Sequence, residues 1–124
     1  MGATICIPGY TLPSKIQTMY DKFHAEKNID KAAELFDEAE TAYAAWCSKG
    51  NVQTTLDLSY ATIDWILSNL GEHNHDLCGE IDPQEILDSK DAFDTNHMRT
   101  QALMPVLFAL ASKALELNTK LIYG

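Results

Sequence analysis

Apolar residues recur along the first half of the chain at the three- and four-residue spacing of amphipathic α-helices. Two such stripes predict helices over 15–27 and 31–48, with Ser14 and Asp30 as their N-caps. Lys49-Gly50-Asn51 follows the second stripe with residues that favour a helix C-terminus. The apolar members are Ile16, Met19, Tyr20 and Phe23 in the first stripe, and Ala32, Leu35, Phe36, Ala39, Ala42, Tyr43 and Trp46 in the second.

The second half of the chain predicts three further helices. The first covers 52–70 and ends at Gly71, and the second is a short helix over 83–93 that begins with the capping pair Asp82-Pro83. The last extends to about residue 121. The apolar stripes comprise Val52, Leu56, Tyr60, Ile63, Leu67 and Leu70 in the first of these helices, and Leu103, Leu107, Leu110, Ala114, Leu117 and Leu121 in the last.

This pattern predicts an all-α fold, a bundle of four main helices plus one short helix. No segment shows the alternation of β-branched residues that is typical of strands. Residues 1–13, which contain Pro8-Gly9 and Pro13, are predicted to form an extended N-terminal arm, and 14–124 a single helical domain. Pro105 predicts a start or a kink in the last helix, because proline disrupts a helix interior.

The net charge of −9, from 18 acidic against 9 basic residues, restricts the class of partner. Such a surface repels phosphate backbones and anionic lipid, so we expect neither direct nucleic-acid binding nor membrane binding. It suits a protein that binds divalent cations or one that mimics a polyanion. The three cysteines suggest no disulfide framework, and no apolar run approaches the roughly 20 residues that span a bilayer. We therefore expect a cytoplasmic protein.

Acidic residues cluster on the predicted helices and are the first candidates for chemistry. Glu34, Asp37 and Glu38 fall within about 100° of one another on the second helix. Asp57 and Asp64 are seven residues apart, so a helix places them about 20° from each other. Two interpretations stay open: ordinary solvated helix faces, or a magnesium site built by carboxylates from two adjacent helices.

Five short segments follow one another in an order that points to a known family. They are Tyr20-Asp21-Lys22-Phe23-His24, Leu35-Phe36-Asp37-Glu38-Ala39-Glu40, Leu58-Ser59-Tyr60-Ala61-Thr62-Ile63-Asp64-Trp65-Ile66-Leu67, Ile81-Asp82-Pro83-Gln84-Glu85-Ile86-Leu87 and Thr95-Asn96-His97-Met98-Arg99. In order and spacing they resemble the MazG-like all-α nucleoside triphosphate pyrophosphohydrolases, including their phosphoribosyl-ATP pyrophosphohydrolase-like branch. The resemblance covers roughly residues 16–100.

The resemblance implies a metal-dependent hydrolase that converts a nucleoside triphosphate to a monophosphate and pyrophosphate. It implies that Asp37, Glu40 and Asp64 bind Mg²⁺ or Mn²⁺, with Glu38 as the catalytic residue that positions water, and Asp57 as a further ligand. Metal-bound water would be the nucleophile.

The resemblance further implies phosphate contacts from Asn96 and Arg99, a nucleotide substrate, and a homodimer or higher homo-oligomer. Arginine suits phosphate because its guanidinium donates two parallel hydrogen bonds.

Ala61 stands where the family has the second glutamate of its metal set. The alternative hypothesis is therefore a non-catalytic acidic helical module, or polyanion mimic, that acts on a protein partner. A TPR-like adaptor is disfavoured, because 28–50 has no second copy in the chain.

Overall fold

The computed structural model describes residues 2–71, 78–93 and 98–124, and only the backbone of residues 92 and 98–100. Helices and strands are interspersed along it. The helices are α1 (Ser14–Ala25), α2 (Ile29–Cys47), α3 (Tyr60–Asn69), α4 (Pro83–Asp88) and α5 (Met98–Glu116), with a 3₁₀ turn at Lys90–Ala92. The strands are β1 (Gly2–Cys6), β2 (Thr55–Ser59), β3 (Gly79–Ile81) and β4 (Leu121–Tyr123).

The four strands form one antiparallel sheet in the order β2-β1-β4-β3. In its register, Ile5 lies opposite both Leu56 and Tyr123, so β1 is a central strand. The predicted all-α bundle is therefore wrong, and the fold is mixed α/β. The strands are only three to five residues long. Runs that short hold too few alternations to be told from a helical stripe.

Two predicted helices were too long because they included strands. Residues 55–59 form β2, and α3 begins only at Tyr60. There Ser59 is the N-cap, and its Oγ accepts a hydrogen bond from the Thr62 amide at 3.3 Å. The last helix ends at Glu116 and runs through Pro105 without starting there, and Leu121 belongs to β4.

The chain separates into two compact units, residues 1–10 with 52–124, and residues 11–51. In the first unit, alternate strand residues and the helices α3, α4 and α5 form one hydrophobic core. The predicted arm thus supplies β1 to this unit. The largest fully buried side chains are those of Ile5, Ile7, Ile66, Leu67, Ile86, Leu107, Leu110 and Leu121.

The second unit is a hairpin of α1 and α2. Asn28, rather than the predicted Asp30, is the N-cap of α2, and its Oδ1 accepts a hydrogen bond from the Lys31 amide at 3.2 Å. Ile16 and Ala39 are the only residues of these two helices that are fully enclosed.

Candidate functional site

The predicted catalytic and metal-binding acids of the first acidic segment lie on α2. Asp37 is exposed on the side of the helix opposite the buried Ala39, and Glu38 is exposed about 100° around the helix from it. Glu40 is exposed too, but its carboxylate has a partner across the hairpin. The Tyr20 hydroxyl donates a hydrogen bond to Glu40 Oε1 at 2.8 Å. The α2 acids therefore do not form one set, because Glu40 serves the packing of α1 on α2.

The environment of Tyr20 is perturbed. Burial raises the pKa of Tyr20 to about 12, and the hydrogen bond to the Glu40 carboxylate and its negative charge add to the rise. The phenol is therefore neutral at all physiological pH values and acts as a hydrogen-bond donor. Its role in the described structure is to join the two helices of the hairpin.

The predicted pair Asp57 and Asp64 does not lie on one helix face, because Asp57 is in strand β2 and Asp64 in α3. The Thr4 hydroxyl donates a hydrogen bond of 2.6 Å to Asp57 Oδ1, across the β1–β2 pair. Asp64 and Ala61 are exposed on α3. The expectation that a helix places Asp57 and Asp64 about 20° from each other is thus wrong, since one helix does not contain both.

The predicted phosphate contacts lie outside what can be described. Asn96 is not among the described residues, and only the backbone of Arg99 is, in the first turn of α5. Among residues 2–71, 78–93 and 98–124, no three His, Cys, Asp or Glu side chains gather as a metal site would require. The Mg²⁺ or Mn²⁺ site and the nucleotide site stay predictions.

A run of aromatic contacts holds the hairpin together. The ring of Phe23 on α1 lies 5.1 Å from that of Phe36 on α2, and Tyr20 lies 6.5 Å from Tyr43. Trp46 extends the run, 5.8 Å from Tyr43. These residues belong to the apolar stripes that the sequence shows, but which helix they contact could not be predicted from the stripes alone.

One face of α2 keeps large apolar side chains in solvent. Ile29 is 85% exposed and Phe36 is 40% exposed. They are seven residues apart, so they lie within about 20° of each other on the helix and about 10 Å apart along it. Asp30 and Asp37 follow them directly in sequence, and Ala33 lies between the two pairs. We refer to these five exposed residues as the α2 face.

Sequence reasoning missed this face because it assigned Phe36 to the buried stripe. The repeat of an apolar residue followed by aspartate, Ile29-Asp30 and Phe36-Asp37, could not have found it, because Leu56-Asp57 and Ile63-Asp64 repeat the same pattern at the same spacing and Leu56 and Ile63 are buried.

Neither a protein-family model, nor a curated protein, nor a solved structure matches this chain. In the part of the chain that the structure describes, no helix is both long and apolar enough to cross a membrane.

Proposed function

We propose that this chain is a non-catalytic protein-binding module whose binding element is the α1–α2 hairpin. The observation that carries the proposal is the exposure of Ile29 and Phe36 on the α2 face. Burial of a fully exposed large apolar side chain contributes on the order of 1.5–3 kcal/mol, so Ile29 can contribute most of that amount and Phe36, which is 40% exposed, less than half of it. Two such anchors, seven residues apart, supply the kind of local apolar contact from which most binding energy in protein interfaces derives.

The construction of the other unit supports the proposal. Every member of its hydrophobic core comes from residues 1–10 or 52–124. The hairpin is inserted between β1 and β2, and the residues that flank it are joined, because Tyr10 Oη accepts a hydrogen bond from the Val52 amide at 3.0 Å. Lys113 lies over the Tyr10 ring at 5.8 Å. The hydrophobic core of the sheet unit therefore contains no residue of 11–51 among those that the structure describes.

The proposal is tested by selecting binders from a random peptide library displayed on phage, with the full chain as the target. We expect selected peptides to bind the parent and to lose at least tenfold in affinity for Ile29→Ala/Phe36→Ala. The matched control is Leu115→Ala/Leu117→Ala, which removes two other exposed apolar side chains, 39% and 46% exposed, elsewhere in the chain. Peptides that bind all three proteins equally would overturn the proposal.

A second assay distinguishes the hydrolase hypothesis from the proposed protein-binding function. If the predicted metal set binds a cation, Mg²⁺ or Mn²⁺ raises the melting temperature, because a ligand that binds only the native state stabilises it. Asp64→Asn would remove that shift and Ala61→Glu would increase it. Pyrophosphate release from nucleoside triphosphates that Asp64→Asn abolishes would contradict a non-catalytic module.

A further inference from the structure

On the basis of the proposed function, we infer that the segment that binds the α2 face is a cationic amphipathic helix. It would carry apolar residues seven apart, each with a lysine or arginine beside it. The proposed function requires only that some protein segment binds the hairpin, and the inference adds which chemistry that segment has.

The seven-residue spacing of the apolar residues on the α2 face determines the spacing that we expect for the apolar residues of the partner. Ile29 and Phe36 are one heptad apart, as are Asp30 and Asp37. Helices that pack at a shallow angle bring apolar residues of one heptad register into contact along a common seam. A partner helix with the same seven-residue repeat would place its apolar residues against Ile29 and Phe36 at the same time.

The negative charge of helix α2 determines that the partner segment is expected to be positively charged. Helix α2 carries five acidic residues and a single basic one, Lys31. Asp30, Glu34 and Asp37 are all exposed, and they lie on one flank of Ile29 and Phe36. Basic residues on that flank of a partner helix would meet carboxylates at both heptad positions.

A second copy of the chain is a poorer occupant of the face. A two-fold contact through the α2 face would bring the Asp30 and Asp37 carboxylates of two chains together, each chain having a net charge of −9. Like charges opposed across an interface cost several kcal/mol. Anionic nucleic acid and anionic lipid are disfavoured for the same reason.

The probe for this inference is a synthetic helical peptide with leucine at two positions seven apart and lysine after each leucine. Its control is a peptide of the same composition with the heptad register scrambled. Binding to the full chain is measured by fluorescence anisotropy between 50 mM and 500 mM salt. We expect the registered peptide to bind at least tenfold more tightly than the scrambled one, and binding to weaken as salt rises.

Two pairs of substitutions separate the apolar and ionic contributions. Asp30→Asn/Asp37→Asn should weaken binding at least tenfold at low salt and flatten the salt dependence, whereas Ile29→Ala/Phe36→Ala should weaken it at every salt concentration. The matched charge control is Glu85→Gln/Asp91→Asn, two exposed acids outside the hairpin, which should leave binding within about twofold of the parent. Circular dichroism checks that all variants keep their helix content.

Three outcomes overturn the inference. If the registered and scrambled peptides bind equally, the heptad register does not contribute to binding. If binding to Asp30→Asn/Asp37→Asn is unchanged, the acidic residues on that flank do not contribute either. A dimer in sedimentation equilibrium that Phe36→Ala dissociates would assign the face to a second copy. If phage-selected peptides still depend on Ile29 and Phe36, the proposed function survives each failure of the cationic helix.

Discussion

The hydrogen bond from Tyr20 to Glu40 should stabilise the hairpin, and its removal tests whether Glu40 serves the fold. Tyr20→Phe deletes the donor, and Glu40→Gln replaces the charged acceptor by a neutral one. The two side chains meet across the α1–α2 hairpin at an O–O distance of 2.8 Å, a short bond of good geometry. We expect both substitutions to destabilise the hairpin, and we expect their effects to overlap.

The magnitude follows from the charge and the exposure of the pair. A hydrogen bond to a charged group contributes about 1.5–3 kcal/mol when it is shielded from water. Because Glu40 is exposed, solvent screening reduces the ionic part. We therefore expect about 1 kcal/mol for each single variant. The double variant should cost about as much as one single variant, which gives a coupling energy of about 1 kcal/mol.

The two tryptophans of the chain allow each unit to be followed separately. Trp46 lies on α2 and Trp65 on α3, so Trp65→Phe leaves a fluorophore that reports on the hairpin alone. Urea unfolding of the two single variants and the double variant in the Trp65→Phe background gives the coupling energy between Tyr20 and Glu40. A matched measurement in a Trp46→Phe background follows the unfolding of the sheet unit through Trp65. There, Tyr20→Phe and Glu40→Gln should each change the free energy of unfolding by less than about 0.5 kcal/mol.

The pH dependence provides a second test. The pKa of Tyr20 in the folded chain, about 12, lies above the ordinary tyrosine value of 10.0. The corresponding stabilisation is present below pH 10 and is lost as the pH rises from 10 to about 12. We expect Tyr20→Phe to lose less stability than the parent over that interval. Additive effects of the two substitutions, together with identical pH dependence in parent and variant, would refute the assigned role of the pair.

Three further changes test the fold. Pro105→Ala should stabilise the chain by up to about 3 kcal/mol, because Pro105 is an exposed residue inside α5. Urea unfolding measures this change in the free energy of unfolding, and a loss of stability would contradict the position of Pro105 inside the helix. Ile5→Ala should destabilise by about 2–5 kcal/mol because Ile5 is fully buried in the central strand, and a change below 1 kcal/mol would contradict the sheet order. Replacement of residues 11–51 by a short Gly-Ser linker should leave a cooperative thermal transition monitored at Trp65, whereas a chain without a transition would show that the sheet unit needs the hairpin.

The sequence was sufficient to predict the helices of the hairpin, and the reason is their length. Helix α2 has 19 residues, so its stripe repeats over about five turns and cannot be mistaken for a strand. The periodicity of apolar residues gave a wrong prediction at the ends of two other predicted helices. Leu56 and Leu121 continue the three- and four-residue spacing of the neighbouring stripes, although both lie in strands. Their strand conformation depends on pairing with β1, which is remote in sequence.

The candidate site was predictable only in part, for a related reason. The exposure of Asp37 follows from its position opposite the apolar stripe of α2, and that of Glu38 from its position on the flank of the stripe, about 100° from Ala39. The bond between Tyr20 and Glu40 does not, because it depends on how α1 packs against α2. Phe36 was placed in the buried stripe because periodicity does not show where the neighbouring helix ends. The exposed 40% of its side chain is a tertiary property.

The pairing of Ile5 with Tyr123 has a consequence for the order in which the chain folds during synthesis. Strand β1 emerges from the ribosome before β4, its neighbour in the sheet, which is made more than a hundred residues later. At roughly 5–20 residues per second, β1 waits several seconds for that partner. Until then, the apolar side chains of Ile5 and Ile7 have no complete core to enter. Helices α1 and α2 contact each other through short-range links and can form first, so the hairpin should be the earliest structured part of the nascent chain.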